Sequence, residues 1–316
     1  ITKETVKANE QITTYIRKAD EALEALGYTE HSFAHVTRAA SFAEHLLLDL
    51  GYPARLAELA WIAGYLHDIG NVINRIDHAQ SGAVMAFRIL DKMGADAAEL
   101  STVISAIGNH DESTAFPVNE VAAALILADK TDVRRSRVRN QDFSQFDIHD
   151  RVNYAVVEAH TYLTPEKNAL VQEMTIDTEL SPVMDYFEIF LDRMMLCRKA
   201  AERLLTGWWK KICGELFAAV LEQWYPRFAR WNIPRPMLRT RRMTSRWGSC
   251  QPATAVITMN ERLLHAPMEC TEYIMVHELA HLVQADHSPA FHAVVTEVMP
   301  DWKERKKRLR EAKIPL

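Results

Sequence analysis

Two groups of side chains in this chain carry residue types and spacings suited to chemistry. The first lies in TEYIMVHELAHLVQADHS, where His277 and His281 stand four positions apart with Glu278 between them. Positions i and i+4 share one face of an α-helix, so the two imidazoles can grip one zinc together. Glu278, one residue on, is within reach of water at that zinc as a general base. A catalytic zinc takes a third protein ligand and keeps one position open. His287, six residues after His281 and past a turn expected at Ala285-Asp286, is the candidate third ligand. The apolar run Tyr273, Ile274, Met275, Val276 is expected to bury the helix and dry the site.

The second group is spread over the first half. Its histidines sit beside carboxylates at the ends of helical stretches: His35, the adjacent pair His67-Asp68 in YLHDIGN, His78, His110 and, in LADKTD, Asp129. Neighbouring residues on a helix are about 100° apart, yet at a helix end they can converge on one ion. Imidazole with carboxylate suits iron, manganese or zinc and does not favour calcium. Cations there would neutralise the charge with which a phosphate ester repels a nucleophile, and would lower the pKa of water toward neutrality.

These residues must be positioned by elements that the pattern predicts. HVTRAASFAEHLLLDLGY, ARLAELAWIAGYLHDIG, SGAVMAFRILDKMG, AAELSTVISAIGNH and NEVAAALILADKTD have apolar residues at helical spacing, with glycines closing the first two. SPVMDYFEIFLDRMMLCRKAAERLL is a longer amphipathic stretch with Pro182 near its start. One or two strands are expected in VNYAVVEAHTYL and ALVQEMTIDTEL. From residue 207 a helix in WWKKICGELFAAVLEQWYPRFARW precedes short strands in NIPRPMLRTRRMTSRWGSC and TAVITMN, followed by helices in MECTEYIMVHELAHLVQA and SPAFHAVVTEVM. No internal repeat is visible.

Composition bounds the rest. At 316 residues, with 48% hydrophobic and 25% charged, the chain is ordinary globular protein of about two domains. Its four cysteines form no CxxC pair, which excludes a cysteine-only zinc site and a disulfide framework and fits a reducing, cytoplasmic setting. No run of 18 apolar residues predicts a membrane span, and ITKETVKANE lacks the apolar core of a signal peptide. Residues 207–316 hold 17 basic and 11 acidic residues, against 20 and 31 in residues 1–206. That asymmetry puts a boundary near 206, and the basic excess is too small to indicate a nucleic-acid partner.

The order His35, His67-Asp68, Asp129 resembles the HD superfamily of metal-dependent phosphohydrolases over about residues 28–145. The resemblance implies an all-α HD fold for residues 1–206, with His35, His67, Asp68 and Asp129 as ligands and Asp68 as a catalytic residue. DHAQSGA and AIGNHDE place His78 and His110 where binuclear members, such as the HD-GYP proteins and diadenosine-tetraphosphate hydrolases, carry further histidines. Where HD-GYP proteins have two consecutive histidines this chain has His110-Asp111, and it has no GYP motif. The implied cofactor is one or two ions of iron, manganese or another divalent transition metal, and the implied substrate a nucleotide or nucleotide-derived phosphate. Lys130, Arg134 and Arg135, following Asp129, are candidates to contact substrate phosphate.

Residues 207–316 resemble the YgjP-like metallopeptidases, related in outline to the SprT-like and WLM proteins. The resemblance rests on RRMTSRWGSC, ITMNERLLHAP, VHELAHLVQADHSPAFHAVV and MPDWKERKKRLR. It implies an α+β, minimal zincin-like fold, zinc on His277, His281 and His287, Glu278 as catalyst and a peptide substrate, which could pair with the strand around Thr254–Met259. Two readings follow for the whole chain: two hydrolases in one polypeptide, or an HD domain that senses a nucleotide and regulates the peptidase. The sequence does not decide the oligomeric state.

Overall fold

A computed structural model of the protein describes residues 1–140 and 142–312. The chain divides into two compact units, Ile1–Thr206 and Gly207–Leu316.

The first unit opens with α1 (Lys3–Lys7), α2 (Glu10–Ala25), α3 (Phe33–Asp49), α4 (Ala54–Leu66), α5 (His78–Lys92), α6 (Ala97–Gly108) and α7 (Glu120–Lys130). Several start where a short polar side chain accepts from the orphan amides of the first turn: Asn9 for α2, Ser32 for α3, Asp96 for α6 and Asn119 for α7. α4 and α7 are apolar almost all round and lie in the core. α3 packs on both. Its approach to α4 is close because Gly64 faces Ala40: a Cβ on Gly64 would lie 2.7 Å from the Ala40 Cα. That crossing brings the start of α3 and the end of α4, with His35 and His67, to one place.

The all-α expectation holds for the helices up to α8 (Ile148–Ala155) but not for the whole unit. An antiparallel hairpin of β1 (Val156–Leu163) and β2 (Leu170–Ile176) follows, where β-branched alternation begins in the sequence. It packs through Val156 and Ile176 into a small core with Val133, Val152, Tyr186 and Phe190. Next comes α9 (Val183–Trp224), a single helix where the sequence suggested two. The stretch AERLLTGWWKKICG has no proline, and each of its two glycines costs a helix only about 1 kcal/mol.

The second unit contains β3 (Met237–Arg241), β4 (Gly248–Gln251) and β5 (Val256–Asn260), then α10 (Met268–Ala280), α11 (Pro289–Val298) and α12 (Trp302–Glu311). The sheet order is β3-β5-β4, with β3 parallel and β4 antiparallel to β5. One apolar core joins Phe217 and Phe228 to Ile257 and Met259 of the sheet and to Ile274, Met275, Phe291 and Val295 of the helices. The expectation that a peptide pairs along Thr254–Met259 is corrected here. β5 is the central strand, hydrogen-bonded on both sides, and the open edges belong to β3 and β4. No helix among the described residues is long and apolar enough to cross a membrane.

Two candidate metal centres

In the first unit, helix ends deliver the side chains singled out by type. His35 lies in the first turn of α3, His67 caps the end of α4 with Asp68 next to it, His78 begins α5, His110 follows α6, and Asp129 is in the last turn of α7. His35, His67, His78 and His110 are all buried. The His35 Nε2 is 3.3 Å from both His67 Nε2 and Asp129 Oδ1, and 3.6 Å from Asp68 Oδ2. His67 Nε2 is 3.1 Å from Asp68 Oδ2 and 3.7 Å from Asp129 Oδ1. Beside this group, His78 Nε2 lies 3.2 Å from His110 Nε2 and 3.6 Å from Asp68 Oδ1. Asp68 thus presents one oxygen to each group.

The imidazole orientations have a common cause. Three of the rings donate Nδ1–H to the carbonyl three residues earlier: His67 to Gly64 (2.8 Å), His78 to Arg75 (3.0 Å) and His110 to Ile107 (2.6 Å). His35 donates its Nδ1–H to Asp132 Oδ2 at 2.8 Å. Each ring therefore turns its Nε2 inward, with the paired Nε2 atoms 3.2–3.3 Å apart and Arg75 Nη1 donating to that of His78 at 3.2 Å. Asp68 Oδ2, buried among them, has no hydrogen-bond partner. Ligand atoms about 2.1 Å from one cation lie roughly 3.0–3.5 Å apart, which matches these separations. Electrostatics show the pull of the site on positive charge: burial opposes protonation of His67, yet Asp68 and Asp129 outweigh it and raise the imidazole to about 10, so that without an ion a proton on Nε2 stands where a cation would. Burial holds His110 down at about 3. The donor set fits divalent cations of the transition series.

The cage opens on a cavity of about 300 Å3 within the same unit. Lys130 lines it, with Nζ 2.7 Å from Asp129 Oδ2. Arg134 and Arg135 do not. Arg134 is held by Asp132 and Glu30, and Arg135 donates to the Tyr154 carbonyl and stacks on that ring. The arginines lining the cavity are Arg75, Arg137 and Arg193. His31 lines it too, with its Nδ1 at the Thr29 carbonyl and burial lowering it to about 3.

In the second unit, α10 carries His277 and Glu278, and His281 caps its end. A turn at 284–288, in which Asp286 accepts from Gln284 and Ser288, returns His287 to the pair. The Nε2 atoms of His277 and His287 are 3.1 Å apart, and the ring centroids of His281 lie 4.9 Å from His277 and 4.6 Å from His287. Phe291 of α11 packs against all three rings. Burial, with the neighbouring imidazoles, lowers His277 to about 3, so its lone pair is free. Three imidazole nitrogens with no carboxylate among them form a set suited to zinc. Glu278 is buried, which pushes its carboxyl up to about 8 against the pull of Arg246. It faces β4 at Gly248, where a Cβ would stand 2.6 Å from Glu278 Oε1. The WGS segment thus serves as the floor of the site, a role that its resemblance alone did not assign. Tyr273, Cys250 and Lys306 complete the walls of a cleft of about 550 Å3.

Comparison with known proteins finds two domain families in the chain. The model of the HD domain family matches residues 30–134, and the model of the YgjP-like metallopeptidase domain matches residues 135–312, more than half of the chain. The chain belongs to the YgjP-like metallopeptidase family. It carries an HD domain ahead of that match, and both domain families are hydrolases. The YgjP-like match reaches back to residue 135, whereas residues 135–206 fold within the compact unit that contains the HD domain. No curated protein matches the chain. Among solved structures, the chain is similar to a crystal structure of a predicted HD superfamily hydrolase from an uncultured Thermotogales bacterium. The identity is 24%, over 42% of this chain and 73% of that one, with a TM-score of 0.33.

Proposed function

We propose that this YgjP-like protein is a double hydrolase. The unit up to residue 206 is a metal-dependent phosphohydrolase for a nucleotide or nucleotide-derived phosphate, and residues 207–316 are a zinc peptidase of minimal zincin-like fold. The observation that carries this reading is the inward convergence of Nε2 atoms, with every Nδ1–H in the HD cage already committed elsewhere.

His35, His67, Asp68 and Asp129 would hold one iron, manganese or related ion, and Asp68, His78 and His110 a second. His277, His281 and His287 would hold zinc. Bound cations would polarise the phosphoryl group in one site and the peptide carbonyl in the other, and acidify water in both. In the HD site Lys130, set against Asp129, draws in the phosphate and holds it by charge. In the peptidase site Glu278 takes a proton from the attacking water on its carboxylate and delivers it to the leaving amine. Its burial keeps bulk water from competing for that proton.

The peptide is aligned along β4. Asn260 N donates to Trp247 O, so the hydrogen-bonded pairs of the β4–β5 ladder are 247/260, 249/258 and 251/256. The N–H and C=O groups of Gly248 and Cys250 therefore face the open edge, beside Glu278, where an extended chain can add as a strand.

The test uses full-length protein. Phosphate release from a nucleotide panel with manganese or iron should vanish in Asp68→Ala, and cleavage of a casein-like substrate should vanish in Glu278→Gln with zinc retained. Cleavage that survives Glu278→Gln removes Glu278 from its role. Wild-type silence on every nucleotide with every metal removes the phosphohydrolase.

A further inference from the structure

Two sets of charged groups, here called poles, line the cavity in front of the HD cage, and the segment after the matched HD domain supplies Arg193 to one and the whole of the other. The cationic pole contains Arg75, Lys130 and Arg193. Arg75 touches the Asn71 amide oxygen and His78 Nε2, and no carboxylate among the described residues is within ion-pair distance of it. Arg193, on α9, donates to Glu112 at 2.6 Å and lies over the Phe190 ring at 4.2 Å, which fixes its guanidinium. Glu112 is shared with Lys130 at 3.8 Å. Lys130 also pairs with Asp129 Oδ2 at 2.7 Å, which leaves Arg75 as the cation of this pole without a carboxylate at ion-pair distance among the described residues.

The acidic pole comes from the start of α8. Asp147 and Asp150 both line the cavity, and among the described residues neither has a Lys or Arg within ion-pair distance. Asp147 caps α8 by accepting from the Asp150 backbone N–H at 2.7 Å, which fixes the Asp147 carboxyl at the first turn. Ionised carboxylates only accept hydrogen bonds, so a ligand reaching this pole must offer donors such as hydroxyls. An oligophosphate would instead bring like charge against it. The volume of about 300 Å3 is at the small end of ligand cavities.

We infer that Arg75, Lys130 and Arg193 grip the phosphate while Asp147 and Asp150 read hydroxyls, so that the cavity takes a small phosphorylated sugar, either free or as the ribose 5-phosphate part of a nucleotide. This rests on the phosphohydrolase reading and narrows its substrate. In the reaction, water adds to phosphorus, the ester P–O bond breaks, and a proton ends on the released sugar oxygen. The specificity lies in α8 and α9, outside the segment that the HD family covers.

Calorimetric titration of manganese-loaded, full-length protein with ribose 5-phosphate, AMP, orthophosphate and tripolyphosphate tests the inference, with phosphate release measured alongside. Ribose 5-phosphate or AMP should bind more tightly than the two inorganic ions. Arg193→Met should weaken sugar phosphate and orthophosphate alike by about tenfold, with Arg193→Lys restoring part of the loss. Asp150→Asn should weaken the sugar phosphates by about tenfold and leave orthophosphate unchanged. AMP ahead of ribose 5-phosphate, with the same variant effects, assigns the source as a nucleotide, and the reverse order assigns a free sugar phosphate. Tripolyphosphate binding tightest, or Asp150→Asn without effect on any sugar phosphate, overturns the inference. Hydrolysis that persists while neither variant changes binding sinks the two-pole cavity alone. Binding as expected with no hydrolysis sinks the phosphohydrolase reading alone.

Discussion

Asp132 Oδ2 accepts the Nδ1–H of His35 at 2.8 Å, and this contact decides which nitrogen of His35 faces the cage. Asp132 is itself fixed by Arg134 at 2.7 Å, with Arg38 and Arg137 nearby. Carboxylates behind ligand histidines are worth about 10–100-fold in metal affinity. Asp132→Ala should lower the affinity of the HD site by about that factor, read by competition with a chromophoric chelator, while zinc at the other site is unchanged. An unaltered HD-site affinity would show that His35 is held by packing alone.

Gly248 is the only residue type that leaves room for Glu278 behind the edge strand. In Gly248→Ala the new methyl meets Glu278 Oε1 and, at 2.9 Å, the Ile274 side chain. Overpacking of this kind costs about 1–3 kcal/mol. The expected result is a lower Tm for the second unit and lost peptide cleavage, with phosphate release intact.

Much of this was legible in the sequence, because spacing on a helix translates directly into a shared face. His277 and His281 needed only the i, i+4 rule, and the breaks in periodicity marked the helix ends on which His35, His67, His78 and His110 sit. Asp132 was readable too, as the second carboxylate of LADKTD, but its target is 97 residues away and no local pattern names it. Arg193 and α8 reach the cavity through tertiary packing, so runs of charge drew attention to Arg134 and Arg135 instead. The central place of β5 likewise depends on pairing order, which alternation within one strand does not reveal.

Metal-free protein should show a distinctive pH response. Glu278 rises from 4.5 to about 8 on folding, so it stays protonated where the unfolded chain ionises, and stability falls as pH climbs through that interval. His277 falls from 6.5 to about 3, so its contribution is lost as pH drops below 6.5. Between about pH 6.5 and 8 the Glu278 slope adds to that of His67, which is raised to about 10 and loses its contribution over the same interval. Thermal melts across that window should slope downward in apo wild type and less steeply in apo Glu278→Gln. Parallel slopes in the two proteins would place the effect elsewhere.

Chelation should silence both activities, and metals should restore them separately. Zinc is expected to return peptide cleavage, and manganese or iron the release of phosphate, following ligand type. In Asp68→Ala, zinc should still rescue the peptidase. If a nucleotide changes the peptidase rate while phosphate release stays at zero, the HD domain acts as a sensor.

Three of the four imidazoles in the HD cage take their direction from main-chain carbonyls, which every residue possesses. A substitution at Ile107 can alter what surrounds the His110 ring without removing the acceptor that aims it. His35 alone leans on another residue's identity, so over evolutionary time the cage has a single hostage, and Asp132 holds it.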